Sequence, residues 1–219
     1  MEETELNAHE PLSALLHKLL ASSGDNPLNL GTVLQQVGDK GFGLVLILLS
    51  LPSALPVPAP GYSTPFGILL AIFAYQMIVG KAAPAVPRRA ESITLPKSMT
   101  DTMLKVSGGF FKQVETIVRP RGKWITQGGG QRMLGGVVII MATLMMIPMP
   151  GTNTFPAMVI CLTGIAMIEE DGLVAGLAFM VGIGAVALYV FLTYIAITQG
   201  PEAVETIYES TKEWIKGKI

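Results

Sequence analysis

Five stretches of this chain, residues 41–55, 65–79, 134–147, 155–168 and 173–197, contain no charged side chain. They run from 14 to 25 residues. The strands of a soluble sheet run about 4–8 residues, so these stretches are too long to be strands. An uncharged helix this apolar has no face to offer water. Composition agrees: 14% of residues are charged, against about 25% in soluble domains. Half of the chain is hydrophobic (50%), and mean hydropathy is +0.53. The expected class is an all-α integral membrane protein, with the lipid bilayer as its first partner. The N-terminus, Met1-Glu2-Glu3-Thr4-Glu5, is acidic where a secretory signal needs positive charge. The single cysteine, Cys161, lies inside an apolar stretch and is expected to be inert.

Charge is unevenly placed although the net is only −1. Residues 81–132 hold ten of the fifteen Lys and Arg against Glu91, Asp101 and Glu115. The positive-inside rule puts this stretch in the cytoplasm, where its basic face suits anionic lipid. Six regions follow. Residues 1–40 form N-terminal amphipathic helices, with Leu12, Leu15, Leu16, Leu19 and Leu20 on one face. Residues 41–80 form a first membrane hairpin. Residues 81–132 are a basic segment with an amphipathic interfacial helix near 98–118. Residues 133–172 form a second hairpin, 173–198 a transmembrane helix, and 199–219 an amphipathic tail. His9 and His17 have no partner at metal-ligand spacing and read as surface groups.

The two hairpins look like copies of one unit. At an offset of 90, Pro58-Ala59-Pro60-Gly61-Tyr62-Ser63-Thr64 falls on Pro148-Met149-Pro150-Gly151-Thr152-Asn153-Thr154. Pro, Pro, Gly and Thr match, and uncharged arms flank both loops. Each arm would reach only about 21–23 Å as a helix, short of the roughly 30 Å hydrocarbon core. Proline and glycine interrupt the helix between the arms. Broken backbone is tolerated at membrane depth only where protein or water covers it. The expected fold is therefore two repeated broken or re-entrant helical hairpins, inverted or parallel, plus a C-terminal transmembrane helix and interfacial helices.

Broken helices at a repeat interface mark substrate sites in transporters. The amides that begin the second arms carry partial positive charge. The substrate-binding candidates are accordingly Pro58, Pro60, Gly61, Thr64, Pro148, Pro150, Gly151, Asn153 and Thr154. On the plainer reading the loops are tight turns and the threonines cap the next helix. Glu169, Glu170 and Asp171, at the end of the second hairpin, are candidates for ion or proton coupling; they also suit the membrane interface.

Further motifs carry a family resemblance. Gly38-Asp39-Lys40-Gly41-Phe42-Gly43, Pro58-x-Pro60-Gly61-x-Ser63-Thr64-x-Phe66-Gly67 and Gln76 resemble the first half of the ExoD family of bacterial exopolysaccharide-synthesis proteins. Arg119-Pro120-Arg121 resembles its central basic element. Pro148-x-Pro150-x-x-Asn153-x-x-Pro156-Ala157 and Glu169-Glu170-Asp171-Gly172-Leu173 resemble its second half. The similarity covers roughly residues 30–197. It implies a multi-pass protein of the bacterial inner membrane linked to exopolysaccharide production, and it carries over no catalytic residue. The extra acid in Glu169-Glu170-Asp171 departs from the family pattern.

Two functions follow. The first is a small-solute or ion transporter with its substrate between the two helix breaks. The alternative is a non-transporting accessory protein of exopolysaccharide synthesis or membrane organisation. The sequence holds no nucleophile–base pair and no metal-spaced His/Cys set, and Gly128-Gly129-Gly130-Gln131-Arg132 lacks the Lys-Ser/Thr of a phosphate loop. No enzyme, cofactor, metal or nucleic-acid partner is expected. Gly172-x-x-x-Gly176 and Ala178-x-x-x-Gly182 permit close helix packing, inside the chain or on the face of a homodimer, with the homodimer favoured.

Overall fold

A computed structural model of the chain describes residues 41–54, 63–85, 118, 120–147 and 152–217. All regular structure among these residues is helical. The elements are α1 (Gly41–Ala54), α2 (Ser63–Val79), a short 3-10 helix (Lys123–Ile125), α3 (Gly128–Met146), α4 (Thr154–Glu169), α5 (Gly172–Gln199) and α6 (Pro201–Lys216). The expected helices within 1–40 and 98–118 lie outside the described residues, apart from Val118.

The uncharged stretches become α1 to α5. α1 is apolar all round, and residues 41–51 are buried without exception, as such a helix requires. Pro52, in its last turn, withholds a backbone donor, and the helix stops two residues later. α2 buries Phe66, Leu70, Phe73, Ala74 and Met77 and leaves Ile68, Ile72, Tyr75 and Val79 exposed. Both sets keep helical spacing, so the helix has two apolar faces, one inside the protein and one outside.

The arms of each expected hairpin pack less on each other than on the arms of the other hairpin: α1 lies mainly on α4, and α2 on α3. Glycine makes both crossings close. A Cβ at Gly43 would stand 2.8 Å from the Gly164 carbonyl oxygen, and one at Gly164 would stand 2.7 Å from the Gly43 oxygen. On the other pair, a Cβ at Gly135 would stand 2.9 Å from the Ala74 oxygen.

These contacts also fix direction. The start of α1 meets the end of α4, and the start of α3 meets the end of α2. Gln131, near the start of α3, donates from Nε2 to the Lys81 carbonyl just past α2, at 2.8 Å. α5 begins beside the end of α4, where the Glu170 carbonyl accepts the Arg121 and Gly122 amides (3.1 and 2.8 Å). Lys81, Arg121, Arg132, Glu169, Glu170 and Asp171 thus gather at one end of the bundle. The helix ends that flank residues 55–62 and 148–151 lie at the other.

α5 follows a different plan. Its buried positions, Ala175, Ala178, Gly182, Ala185, Tyr189, Leu192 and Ile195, form a seam at coiled-coil spacing. A Cβ at Gly182 would meet side-chain atoms of Val159, Met141 and Val137 at 3.5–3.8 Å. Ala178 and Gly182, favoured for a dimer face by their spacing, are therefore spent on packing inside the chain. Gly176 faces open space. The outer face carries Leu173, Met180, Ile183, Val190 and Ile197, all largely exposed. α3 and α5 are long and apolar enough to cross a membrane. α1, α2 and α4 are shorter apolar helices. α6 packs Val204 and Ala203 on Leu192 and Ile195 of α5.

Candidate functional site at the helix breaks

At the second break the structure brings together Thr152, Asn153 and Tyr189. Thr152 Oγ1 donates to the Tyr189 hydroxyl at 2.8 Å, and that hydroxyl donates to Asn153 Oδ1 at 3.2 Å. Thr152 and Tyr189 are buried, and Asn153 is half-buried. A buried tyrosine hydroxyl needs a partner, and here it has two. Asn153 stands at the N-cap of α4 yet makes no side-chain cap bond; its oxygen goes to Tyr189 instead. Thr154 lies half-buried in the first turn of α4, and Thr64 is exposed in the first turn of α2. Pro58, Pro60, Gly61, Pro148, Pro150 and Gly151 lie outside the described residues.

Sequence reasoning missed Thr152 and Tyr189. A signal existed: Tyr189 is the one bulky, polar-tipped side chain among the small residues of the α5 seam before Leu192. The other buried hydroxyls inside the helices turn back on their own backbones. Ser50 donates to the Ile47 carbonyl at 3.4 Å, and Thr163 to the Val159 carbonyl at 2.8 Å.

The three acids occupy the opposite end of α4, 16 residues away or about 24 Å along the axis. Asp171 is the N-cap of α5 and accepts the Leu173 amide at 2.8 Å. Its own amide donates to the Ala166 carbonyl at 3.1 Å. Glu170 closes α4 in the left-handed conformation (φ 52°), and its Oε1 accepts Thr126 Oγ1 at 3.4 Å. Glu169 is half-buried. The corner thus joins the end of the basic stretch to two helix termini.

The end of α2 is built the same way. Gly80 is left-handed (φ 81°), and the Lys81 amide donates to the Gln76 carbonyl at 3.0 Å. This 6→1 bond beside a left-handed residue is a Schellman closure. The Gln76 side chain then grips the chain beyond: Nε2 donates to the Ala85 carbonyl and Oε1 accepts the Ala85 amide, both at 2.7 Å. No group of three or more His, Cys, Asp or Glu able to hold a metal occurs among the described residues.

A profile of the family described as "Exopolysaccharide synthesis, ExoD" matches residues 12–191. This chain belongs to the ExoD family. It is 42% identical over 192 residues to an uncharacterized protein of Synechocystis, covering 86% of this chain and 88% of that one. It is 26% identical over 200 residues to Protein ExoD of Rhizobium meliloti, covering 89% and 82%. No solved structure matches. The resemblance read from the motifs holds, and with it the link to exopolysaccharide synthesis; the family and the two long apolar helices together point to a membrane protein.

Proposed function

We propose that this ExoD-family chain is a non-catalytic accessory protein of exopolysaccharide synthesis that acts by organising the membrane around it and carries no solute through itself. One observation carries this reading: among the described residues, the polar side chains at the second break bond to each other. Thr152 and Asn153 bind Tyr189, while Ser50 and Thr163 bind carbonyls of their own helices. A solute path needs polar groups left to line it, and the candidate coupling acids stand about 24 Å from the break, the length of α4. The family's description, exopolysaccharide synthesis, supports the link to polysaccharide.

We further read α1–α2 and α3–α4 as two copies of one hairpin, related in parallel. Support comes from matched closures 90 positions apart: left-handed Gly80 and Glu170, and the bonds Lys81 to Gln76 and Asp171 to Ala166. Exchanging the copies maps the α1–α4 crossing onto α3–α2, so each packing repeats the other. The chain is then multi-pass in the inner membrane, with the charged end in the cytoplasm.

The test has two arms. Deleting the gene from a polysaccharide-producing host should lower secreted polysaccharide, and the intact chain should restore it. Proteoliposomes holding folded protein should show no uptake of sugars, amino acids, polyamines or ions above empty vesicles. Normal polysaccharide in the deletion strain, or saturable uptake blocked by Tyr189→Phe, would sink the reading.

A further inference from the structure

The charged end of the bundle has two unlike sides. On the α4–α5 side the acids are engaged: Glu170 Oε1 accepts Thr126 Oγ1 at 3.4 Å, and Asp171 accepts the Leu173 amide at 2.8 Å. On the α2–α3 side there are cations, and neither helix contains an acidic residue. Lys81, just past α2, and Arg132, in α3, are both exposed. Among the described residues neither side chain has an ion pair or a hydrogen bond. Both are nevertheless fixed in place. The Lys81 amide donates to the Gln76 carbonyl at 3.0 Å, and the Lys81 carbonyl accepts Gln131 Nε2 at 2.8 Å. The Arg132 guanidinium lies along Gly80, where a Cβ would stand 3.4 Å from Nη2 and 3.6 Å from Nε. The end of α2 and the start of α3 thus present two positive charges from adjacent stretches of chain.

Beyond these cations, toward the middle of the helices, the surface is apolar. Tyr75 and Val79 stand outward from α2, and Met133 and Ile140 from α3. On both helices the exposed positions lie about a third of a turn from the contact positions, Ala74 and Gly135. The helices run antiparallel, so both exposed sets fall on the same side of the pair. Gly136 lies on that side, and a Cβ there would meet nothing within 4 Å. Its missing side chain leaves a shallow apolar groove beside the crossing, with Arg132 one turn away at the charged end. Two cations above such a groove, with no acid on either helix, are complementary to an amphiphile with an anionic head.

We propose that an anionic phospholipid of the cytoplasmic leaflet occupies this site, with its phosphate between Lys81 and Arg132 and one acyl chain over Gly136. Charge-assisted bonds from Lys and Arg to phosphate oxygens are the strong ones, and basic pockets between membrane helices on the cytoplasmic side bind such headgroups. A cation beside the end of α2 also suits that helix's dipole. Stability therefore does not separate the two roles, whereas lipid selectivity does. The site rests on the membrane reading above and does not depend on the link to polysaccharide.

Tryptophan quenching by lipids with brominated acyl chains reads the site directly. The chain has two tryptophans, which Trp124→Phe and Trp214→Phe remove. Tyr75→Trp then reports on the groove, and Met180→Trp on the outer face of α5; both positions are exposed and lie in the half of their helix nearer the charged end. The full chain is reconstituted in phosphatidylcholine, and brominated phosphatidylglycerol is compared with brominated phosphatidylcholine. At Tyr75→Trp phosphatidylglycerol should be favoured about fivefold or more, the weight of one cation beside an anionic leaflet. Arg132→Gln or Lys81→Gln should lower that preference, the two together should abolish it, and Arg132→Lys should keep most of it. Gly136→Leu, which fills the groove and leaves the charges alone, should lower it as well. At Met180→Trp the two lipids should quench nearly equally. Equal preference at both reporters, or a preference at Tyr75→Trp that survives the double substitution, overturns the proposal. So does its loss on adding inorganic phosphate at constant ionic strength, which would mark a site for a free anion. Ile72→Trp is the second reporter should Tyr75→Trp fail to fold. Normal polysaccharide in a deletion strain would leave the lipid preference standing, and absence of that preference would leave a polysaccharide defect standing.

Discussion

The crossings among α1 to α4 and the seat of α5 are both made by glycine and alanine, yet they use small residues differently. At the α1–α4 and α2–α3 crossings, a carbonyl oxygen of one helix occupies the place where a Cβ of the other would stand. Along α5 a Cβ at Gly182 would meet side chains, at ordinary contact distance. A backbone cannot step aside and a side chain can. The first four helices are locked at a fixed separation, whereas α5 is held by an adjustable seam.

The largest expected effect tests that contrast. Gly164→Ala and Gly135→Ala should each force their helices apart. Because overpacking costs about 1–3 kcal/mol even where side chains can shift, loss of monodisperse protein on size-exclusion chromatography is the expected outcome. Gly182→Ala should leave the elution profile unchanged. Gly176→Ala, facing open space, should be neutral or raise the melting temperature slightly, alanine being the better helix former. Equal damage from Gly182→Ala and Gly164→Ala would erase the distinction.

A middle-sized effect belongs to Tyr189, the one polar attachment described between α5 and the second break. Tyr189→Phe keeps the ring and removes the hydroxyl, leaving Thr152 and Asn153 without it. The loss should be about 1–3 kcal/mol, read as a lower thermal midpoint in detergent. An unchanged midpoint would mean that the seam alone holds α5.

The smallest effects set the matched closures against each other, with opposite signs. Gly80→Ala should destabilise by about 1 kcal/mol, because alanine resists the left-handed region. Glu170→Gly should relieve a similar strain, partly offset by loss of the long Thr126 contact. Destabilisation by both would show that the Glu170 side chain matters more than its backbone.

Much of this architecture was legible in the sequence. The absence of charge from five stretches marks α1 to α5, and Ala178-x-x-x-Gly182 marks part of the α5 seam. The direction of the hairpins was not legible. It depends on which arm meets which, and Gly43 and Gly164 lie 121 positions apart with nothing local to pair them. At the second break the sequence singled out Asn153 but not the two residues bonded with it. Thr64 and Thr154 repeat and so attract notice, whereas Thr152 matters through Tyr189, a partner 37 positions away that does not repeat. The acids were read for their charge, but their described work is backbone geometry: Asp171 caps a helix and Glu170 turns the chain.

The Gln76 amide meets Ala85 as one strand meets another, with a donor and an acceptor side by side. Lys81, just before it, is held by Gln131. Together these bonds make a strain relief, like the clamp where a cable enters a housing. Whatever pulls on the basic stretch beyond Ala85 loads this clamp first, and the clamp divides the load between α2 and α3. A pull on the charged end is then taken up there, without disturbing the helix ends at the far side of the bundle.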